Sequence, residues 1–351
     1  PDMSGGTRSY EMAKRLVAKG HDVHIVTTWR EPTQNIGWFE TDCDGIKVHW
    51  LPVPYANQMS FLKRLSAFFR FAIQASVKAA SIKADIIFAT STPLTIAIPA
   101  VAASRWQKIP MVFEVRDLWP ETPIAMGVLR NIVLCRLAYL LEEWAYRNSD
   151  AIVALSPGMR DGVVDCGYPG HKVAVIPNSA DNELFTVPAE MGAYFREQRY
   201  WLGNRPLLVY AGTFGHVNGA AYLVRIAQKL LINAPEVRVL MIGGGIELNS
   251  VKKLAIDLGV YEKNIFFEES IPKNKMPELM SAADMSASLV IDIPELHKNS
   301  ANKFFDTLAA SRPVLINHGG WMADLINTHK CGLVTYGLSI DEAACQIAAH
   351  L

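Results

Sequence analysis

The sequence predicts an α/β protein built from two Rossmann-like, doubly wound domains in tandem. Three observations carry this expectation. Short unbroken apolar runs alternate with longer helical patterns along the whole chain, which indicates parallel sheets covered on both faces. At 351 residues the chain exceeds what one hydrophobic core usually covers. The alternation also pauses once, at the polar stretch between Asp181 and Pro206, where a domain linker fits.

In order, the chain opens on PDMSGGTRSYEMAKRLVAKGHDVHIVT, a glycine turn, an amphipathic helix and a strand. A doubly wound sheet normally begins with a strand before such a turn, so a first strand is expected ahead of Pro1. The runs HDVHIVTT, KVHWLPV, ADIIFAT, MVFEV, DAIVALS and VAVIPN supply the strands of the first half. PLLVYAG, VRVLMIGG, NIFFEES, SASLVI, PVLIN and GLVTY supply those of the second. The far end, DEAACQIAAHL, stops inside a helical pattern, so a final helix is expected to be cut. The expected domains are residues 1–183 and 184–351.

Composition excludes several classes. Half the residues are apolar and the formal net charge is zero, so the chain is globular and has no global attraction to nucleic acid. Cys43, Cys135, Cys166, Cys331 and Cys345 are scattered, which argues against a disulfide framework or a zinc site and for a reducing, cytoplasmic compartment. No metal or cofactor is expected. No run reaches the length of a membrane span, and no signal peptide is evident.

Ligands of such sheets bind outside the carboxyl ends of the strands, so the loops there hold the candidates. Gly5 and Gly6 could let backbone N–H groups approach an anion or a sugar; an ordinary turn capped by Ser4 or Thr7 explains them equally well. Arg116, Asp117, Trp119 and Glu121 follow the buried MVFEV run directly. A carboxylate there could orient an acceptor hydroxyl or take its proton; alternatively, Asp117 caps a helix starting near Pro120. Asn178 and Asp181 read as residues that pin the crossover. Gly212, Gly215 and Gly219 form a glycine loop without the dinucleotide spacing or its acidic partner, so a phosphate fits better there than a nicotinamide cofactor. His216 reads as a loop residue. Gly243, Gly244 and Gly245 suit either close approach to a nucleoside or a plain turn.

The stretch NSANKFFDTLAASRPVLIN reads as a helix capped by Asn299 or Ser300, with Asn302 and Lys303 in its first turn. A cation there costs about 0.3–1 kcal/mol against the helix dipole. A pair with Asp306 returns about 0.2–0.5 kcal/mol. Local helix physics therefore gives no reason for Lys303, whereas a bound diphosphate would. Asp306 could accept from a ribose hydroxyl. Residues 61–83 form a further helix. Phe61, Leu62, Leu65, Phe68, Phe69 and Ala72 are expected on one side of it, with Lys63, Arg64, Arg70 and Lys78 toward the other. That pattern suits an anionic membrane surface or a helix packed on the sheet.

Taken together, SGGTRSYEMAKRLVAKGHDVHIVT, RDLWPE, VIPNSADNELF, YAGTFG and NKFFDTLAASRPVL resemble the family 4 GT-B retaining glycosyltransferases over essentially the whole chain. The closer resemblance is to the O-antigen and colanic-acid branch, which includes N-acetyl-L-fucosamine transferases. It implies two domains facing across a cleft and transfer of a sugar from a nucleoside diphosphate, UDP, to a lipid-linked saccharide. The first domain would hold the acceptor, at Gly5, Gly6 and Arg116. The second would hold the donor nucleotide, at Gly215, Gly243, Gly244, Asn302, Lys303 and Asp306. Asp117 and Lys303 would act in catalysis, at the inner face of the plasma membrane. Thr213 and Asn218 stand where many members carry Arg and Lys. Lys298 stands where the first of two glutamates usually lies, and Asp306 takes the place of the second. Competing readings are a sugar-nucleotide epimerase of the same architecture and a catalytically silent partner subunit.

Overall fold

A computed structural model of the chain describes residues 8–31, 33–53, 61–91 and 93–351, apart from the side chains of Phe61, Leu62, Arg64 and Leu65. These residues divide into two compact units, with the division after Pro177, a few residues before the expected boundary. Gly5 and Gly6 lie outside the described residues.

The strands of the first unit are β1 (His24–Trp29), β2 (Phe39–Cys43), β3 (Ile46–Pro52), β4 (Ile87–Thr90), β5 (Met111–Val115), β6 (Ala151–Ala154) and β7 (Val173–Val175). They form a three-stranded sheet of order β1-β3-β2 and a four-stranded sheet of order β4-β5-β6-β7. All pairings are parallel except β2 with β3. β2 was not expected from the apolar runs, because three of its five residues are exposed. It is fixed instead by its turn: Asp44 and Gly45 have φ of 54° and 79°, the paired left-handed conformation that closes a tight hairpin. The core of the four-stranded sheet centres on the fully buried Phe113, Met111 and Ile152, with Leu118 and Tyr146 packed against them.

Helix Phe61–Ser81 departs from the expected sidedness. Ala72 and Ala75 are buried, whereas Phe69, Ile73 and Val77 are exposed on the same side as Arg70 and Lys63. Lys78 pairs instead with Glu40, at 2.8 Å. Small alanines let the helix pack closely, so the bulky residues turn outward.

A buried ion pair ties the first helix, Arg8–Ala18, to the sheet. Arg8 Nε donates to Glu114 Oε1 at 2.8 Å, and Thr90 Oγ1 donates to Glu114 Oε2 at 2.8 Å. The Arg8 guanidinium also donates to the carbonyls of Ile176 and Pro177, at 3.0 and 2.7 Å. The side chains of Arg8 and Glu114 are 7% and 1% exposed. One pair thus joins the helix start, β4, β5 and the chain leaving β7.

The second unit holds β8 (Leu207–Ala211), β9 (Arg238–Ile242), β10 (Ile265–Glu268), β11 (Met285–Ser288), β12 (Val314–Ile316) and β13 (Gly332–Val334). They make one six-stranded sheet of order β10-β9-β8-β11-β12-β13, parallel throughout. The order reverses at β8, so a crevice for a ligand is expected between the loops that leave β8 and β11. β8 is buried along its whole length, which holds the base of that crevice rigid.

Removing one partner of a buried pair leaves an uncompensated charge. Glu114→Gln is expected to destabilise the first unit by about 3 kcal/mol, read as a lowered urea midpoint. A change under about 1 kcal/mol would mean that water reaches Arg8 and that the pair is not structural.

Candidate functional site

The crevice of the six-stranded sheet is built around Lys303. This residue sits in the first turn of helix Asn302–Ala309, as expected, but the cap differs. Ala301 takes the N-cap position and supplies no side-chain bond. Ser300 is buried and otherwise engaged: its Oγ accepts from Asn178 N at 3.1 Å, and its carbonyl accepts from Asn178 Nδ2 at 2.5 Å. Asn299 instead ends the short 3-10 turn Pro294–Lys298. Asn178 therefore pins the crossover segment to the site. Asp181 caps the next short helix, accepting from Glu183 N and Leu184 N.

The Lys303 side chain runs across Gly212. A Cβ on Gly212 would lie 2.1 Å from Lys303 Cε and 2.6 Å from Nζ, so only glycine leaves room for the lysine. Nζ donates to Tyr210 Oη and to Asn218 Oδ1, each at 3.2 Å, and lies 4.5 Å from the centre of the Tyr210 ring. Tyr210 Oη donates its own proton to the Thr213 carbonyl at 2.7 Å, which leaves its lone pairs for the ammonium. Burial raises the Tyr210 pKa, so the phenol stays neutral. The expected Lys303–Asp306 pair does not form, and among the described residues Lys303 has no ion pair at all. Burial lowers its pKa to about 8. The arrangement is a desolvated ammonium held only by neutral partners, which favours an incoming anion.

Asp306 lies one turn further along. Burial pushes its pKa up to about 6, against the opposing pull of Lys273. Asn302 is half-buried beside Lys303. The glycine loops prove to be packed on one another. Gly212 N donates to Ile242 O at 2.8 Å, Phe214 N to Gly244 O at 2.9 Å and Glu247 N to Phe214 O at 2.9 Å. A Cβ on Gly243 would lie 1.9 Å from Gly212 O, and one on Gly245 would lie 2.5 Å from Phe214 O. Gly244 has room, its nearest neighbour being Ser270 Oγ at 3.5 Å. Gly215 precedes the 3-10 turn His216–Asn218 that carries Asn218 to the lysine. His216 Nδ1 lies 3.1 Å from Glu247 Oε1.

In the first unit, Arg116 and Asp117 leave β5 half-buried. The Arg116 backbone N–H donates to Ser91 Oγ at 3.0 Å. Leu118 between them and Trp119 turns into the core. Helix Glu121–Ala125 has Pro120 at its N-cap position, and that residue supplies no side-chain cap bond. The residues that sequence reasoning missed here are Arg8, Glu114 and Thr90, which brace this strand end from behind. Among the described residues, no group of three His, Cys, Asp or Glu side chains is placed to share a metal ion. No described helix is long and apolar enough to cross a membrane.

Comparison with known proteins agrees with this architecture. Residues 5–179 match the family described as glycosyl transferase 4-like domain, and residues 195–351 match glycosyl transferases group 1. A Mycolicibacterium smegmatis protein named GDP-mannose-dependent alpha-(1-6)-phosphatidylinositol monomannoside mannosyltransferase is 24% identical over 229 residues. The match spans 64% of this chain and 55% of that relative, so the chain corresponds to little more than half of its length. The fold matches that of Anabaena HepE, solved with UDP, at a TM-score of 0.66 and 17% identity, covering 94% of this chain and 89% of that one. It also matches WaaG, a glycosyltransferase involved in lipopolysaccharide biosynthesis, at a TM-score of 0.71 and 16% identity, covering 99% and 87%. None of these relatives is an N-acetyl-L-fucosamine transferase, so the resemblance holds at the level of the family rather than of that branch. With its two halves matched in turn by a glycosyl transferase 4-like domain and a group 1 domain, the chain belongs to the family 4 glycosyltransferases, of GT-B fold.

Proposed function

We propose that the chain moves a sugar from a nucleoside diphosphate, UDP, to a hydroxyl of a lipid-linked saccharide, with retention of the anomeric configuration. The observation that carries this reading is the part-buried Lys303 ammonium at the strand-order reversal, whose hydrogen-bond partners among the described residues are all neutral. A diphosphate would accept from it and from the N–H groups at the uncapped start of helix Asn302–Ala309. In this reading Gly215, Gly243 and Gly244 line the nucleotide, Asn302 lies beside the phosphates, and Asp306 accepts from a ribose hydroxyl.

The acceptor oxygen bonds to the anomeric carbon as the carbon–oxygen bond to the diphosphate breaks on the same face. The acceptor proton passes to the departing phosphate oxygen. Lys303 stabilises charge on that leaving group. Asp117 orients the acceptor hydroxyl, with Arg116 beside it. The UDP bound in the HepE structure supports the donor class, while the mycobacterial relative is named for GDP-mannose. The lipid acceptor is supported by the names of that relative and of WaaG. We assign the transferred sugar to the N-acetylated deoxyhexosamines, and the pathway to bacterial surface polysaccharide such as O-antigen, capsule or colanic acid. The enzyme would work in the cytoplasm, peripherally on the inner face of the plasma membrane. Helix Phe61–Ser81, with Phe69, Ile73 and Val77 exposed near Arg70, suits such a surface.

Calorimetric titration with UDP and GDP tests the donor side. Lys303→Ala is expected to weaken UDP binding by about 10–100-fold, the worth of a charge-assisted hydrogen bond, with the melting temperature nearly unchanged. A lowered melting temperature with intact affinity would make Lys303 structural, and no nucleotide binding by the wild type would favour a silent partner subunit. Gly212→Ala is expected to displace the lysine and reproduce the loss of affinity; affinity at the wild-type level would mean that the lysine's path over Gly212 does not matter. The pH dependence has a definite sign. The empty site holds its ammonium below pH about 8 and loses it above, so UDP affinity should fall by about tenfold per pH unit above 8. Lys303→Ala should abolish that dependence. On the acceptor side, Asp117→Asn should leave UDP binding intact and slow transfer by at least about tenfold; normal turnover would remove Asp117 from the mechanism.

A further inference from the structure

The turn that carries Asn218 to Lys303 holds one side chain with no part yet in the site. Residues 212–219 run GTFGHVNG, and His216 is the only side chain among them that can carry a charge near neutral pH. Its Nδ1 lies 3.1 Å from Oε1 of Glu247, in the loop after β9. A carboxylate only accepts, so Nδ1 carries the proton of this bond. The tautomer is thereby set and Nε2 is left over. No described residue pairs with Nε2, and the His216 side chain is 70% exposed.

Three further observations tie this pair to the lysine crevice. Phe214 N donates to Gly244 O and Glu247 N to Phe214 O, both at 2.9 Å, so the two loops hold His216 and Glu247 in fixed register. Asn218, in the same 3-10 turn as His216, accepts from Lys303 Nζ at 3.2 Å. Its Nδ2 lies 3.4 Å from where a Cβ on Gly215 would stand, next to His216 in the chain. Burial and, after it, the charge of Glu247 raise the Tyr210 pKa, which puts the carboxylate within electrostatic reach of a partner of the lysine.

Charge decides what the pair does there. A carboxylate close to an anion site opposes the anion. A nucleoside diphosphate also carries more negative charge than one ammonium balances. An imidazolium held against Glu247 answers both: it offsets the carboxylate, and it has a second N–H, on Nε2, to donate. The other charged groups near this turn are engaged elsewhere. The loop after β11 packs on it through Ile291 N, which donates to Val217 O at 2.9 Å, but the neighbouring Asp292 faces His297 at 3.2 Å. Lys303 meets the turn through Asn218, and Tyr210 on β8 is neutral.

We infer that His216, held by Glu247, is a second cationic contact of this crevice to the phosphates of a nucleoside diphosphate, made when its ring is protonated. The inference rests on the donor-nucleotide reading of Lys303. A phosphate that accepts from an imidazolium favours the charged form. The contact is therefore fully present at acid pH and lost as pH rises through the histidine range, ordinarily between about 5 and 8. The test is calorimetric titration of the full chain with UDP, and with uridine as the ligand without phosphates, at about pH 6 and about pH 8. Comparing two proteins at one pH cancels the titration of the nucleotide's own phosphate and of Lys303. His216→Gln is expected to bind UDP about fivefold more weakly than wild type at the lower pH and equally at the higher, with the melting temperature unchanged. His216→Arg, charged throughout, is expected to keep the affinity at the lower pH and to exceed wild type at the higher. Uridine should not distinguish the three proteins. Equal UDP affinity of wild type and His216→Gln at the lower pH overturns the inference and leaves the pair as a solvated surface contact. A loss of equal size for UDP and uridine, or of equal size at both pH values, also overturns it, because the ring would then pack on the nucleoside or hold the loop. A wild type that binds neither UDP nor GDP removes the donor reading and this inference with it, whereas nucleotide binding indifferent to His216→Gln removes the inference alone.

Discussion

The second unit is organised by the partial burial of one ammonium where its strand order reverses. Lys303 can lie there only because Gly212 has no Cβ. Gly212 in turn is held by the loop that leaves β9, whose Gly243 closes on its carbonyl. The stiffness of β8 fixes Tyr210, and the 3-10 turn after Gly215 delivers Asn218. A set of glycines that reads as a failed dinucleotide fingerprint is thus a packing device. It brings two loops backbone to backbone and leaves a channel the width of a lysine chain. The buried pair Asn178–Ser300 then anchors the chain just before helix Asn302–Ala309 and sets where that channel begins.

The same local anomaly occurs twice in the chain and is resolved in opposite ways. Arg8 and Lys303 both put a cation in the first turn of a helix, where the dipole disfavours it. Arg8 is answered from within the protein by Glu114 and two carbonyls. Lys303 receives a phenol and an amide. One cation is therefore structural and fully compensated. The other carries a charge that no described residue pairs with an opposite one. The distinction decides which of the two is available to a substrate.

Much of the fold was legible in the sequence, because fully buried parallel strands are written as unbroken apolar runs. β8 and β12 are of this kind. β2 was not legible by that rule, since FETDC faces solvent; its signal lay in Asp44–Gly45, a hairpin turn dipeptide. Lys303 was legible because local helix energetics gave no reason for it. The rule that picked it out applies equally to Arg8, yet Glu114 is more than a hundred residues away, and no local pattern links the two. The cap of the 302–309 helix was misread for a related reason. Ser300 has the right side chain, but a tertiary partner, Asn178, takes it. The sidedness of helix Phe61–Ser81 was misjudged because alanine packs closest, and counting bulky residues points to the wrong face.

The partners of Lys303 also set a count of hydrogens. Tyr210 has committed its only proton to the Thr213 carbonyl, and so it can only accept. With Asn218 Oδ1 it offers the lysine two acceptors. A neutral amine has two N–H bonds and a lone pair, whereas an ammonium has three N–H bonds and no lone pair. Both partners accept and neither can donate to an amine lone pair, so they favour the ammonium over the amine. An anion that accepts from the ammonium favours the charged form, so binding it raises the pKa of Lys303.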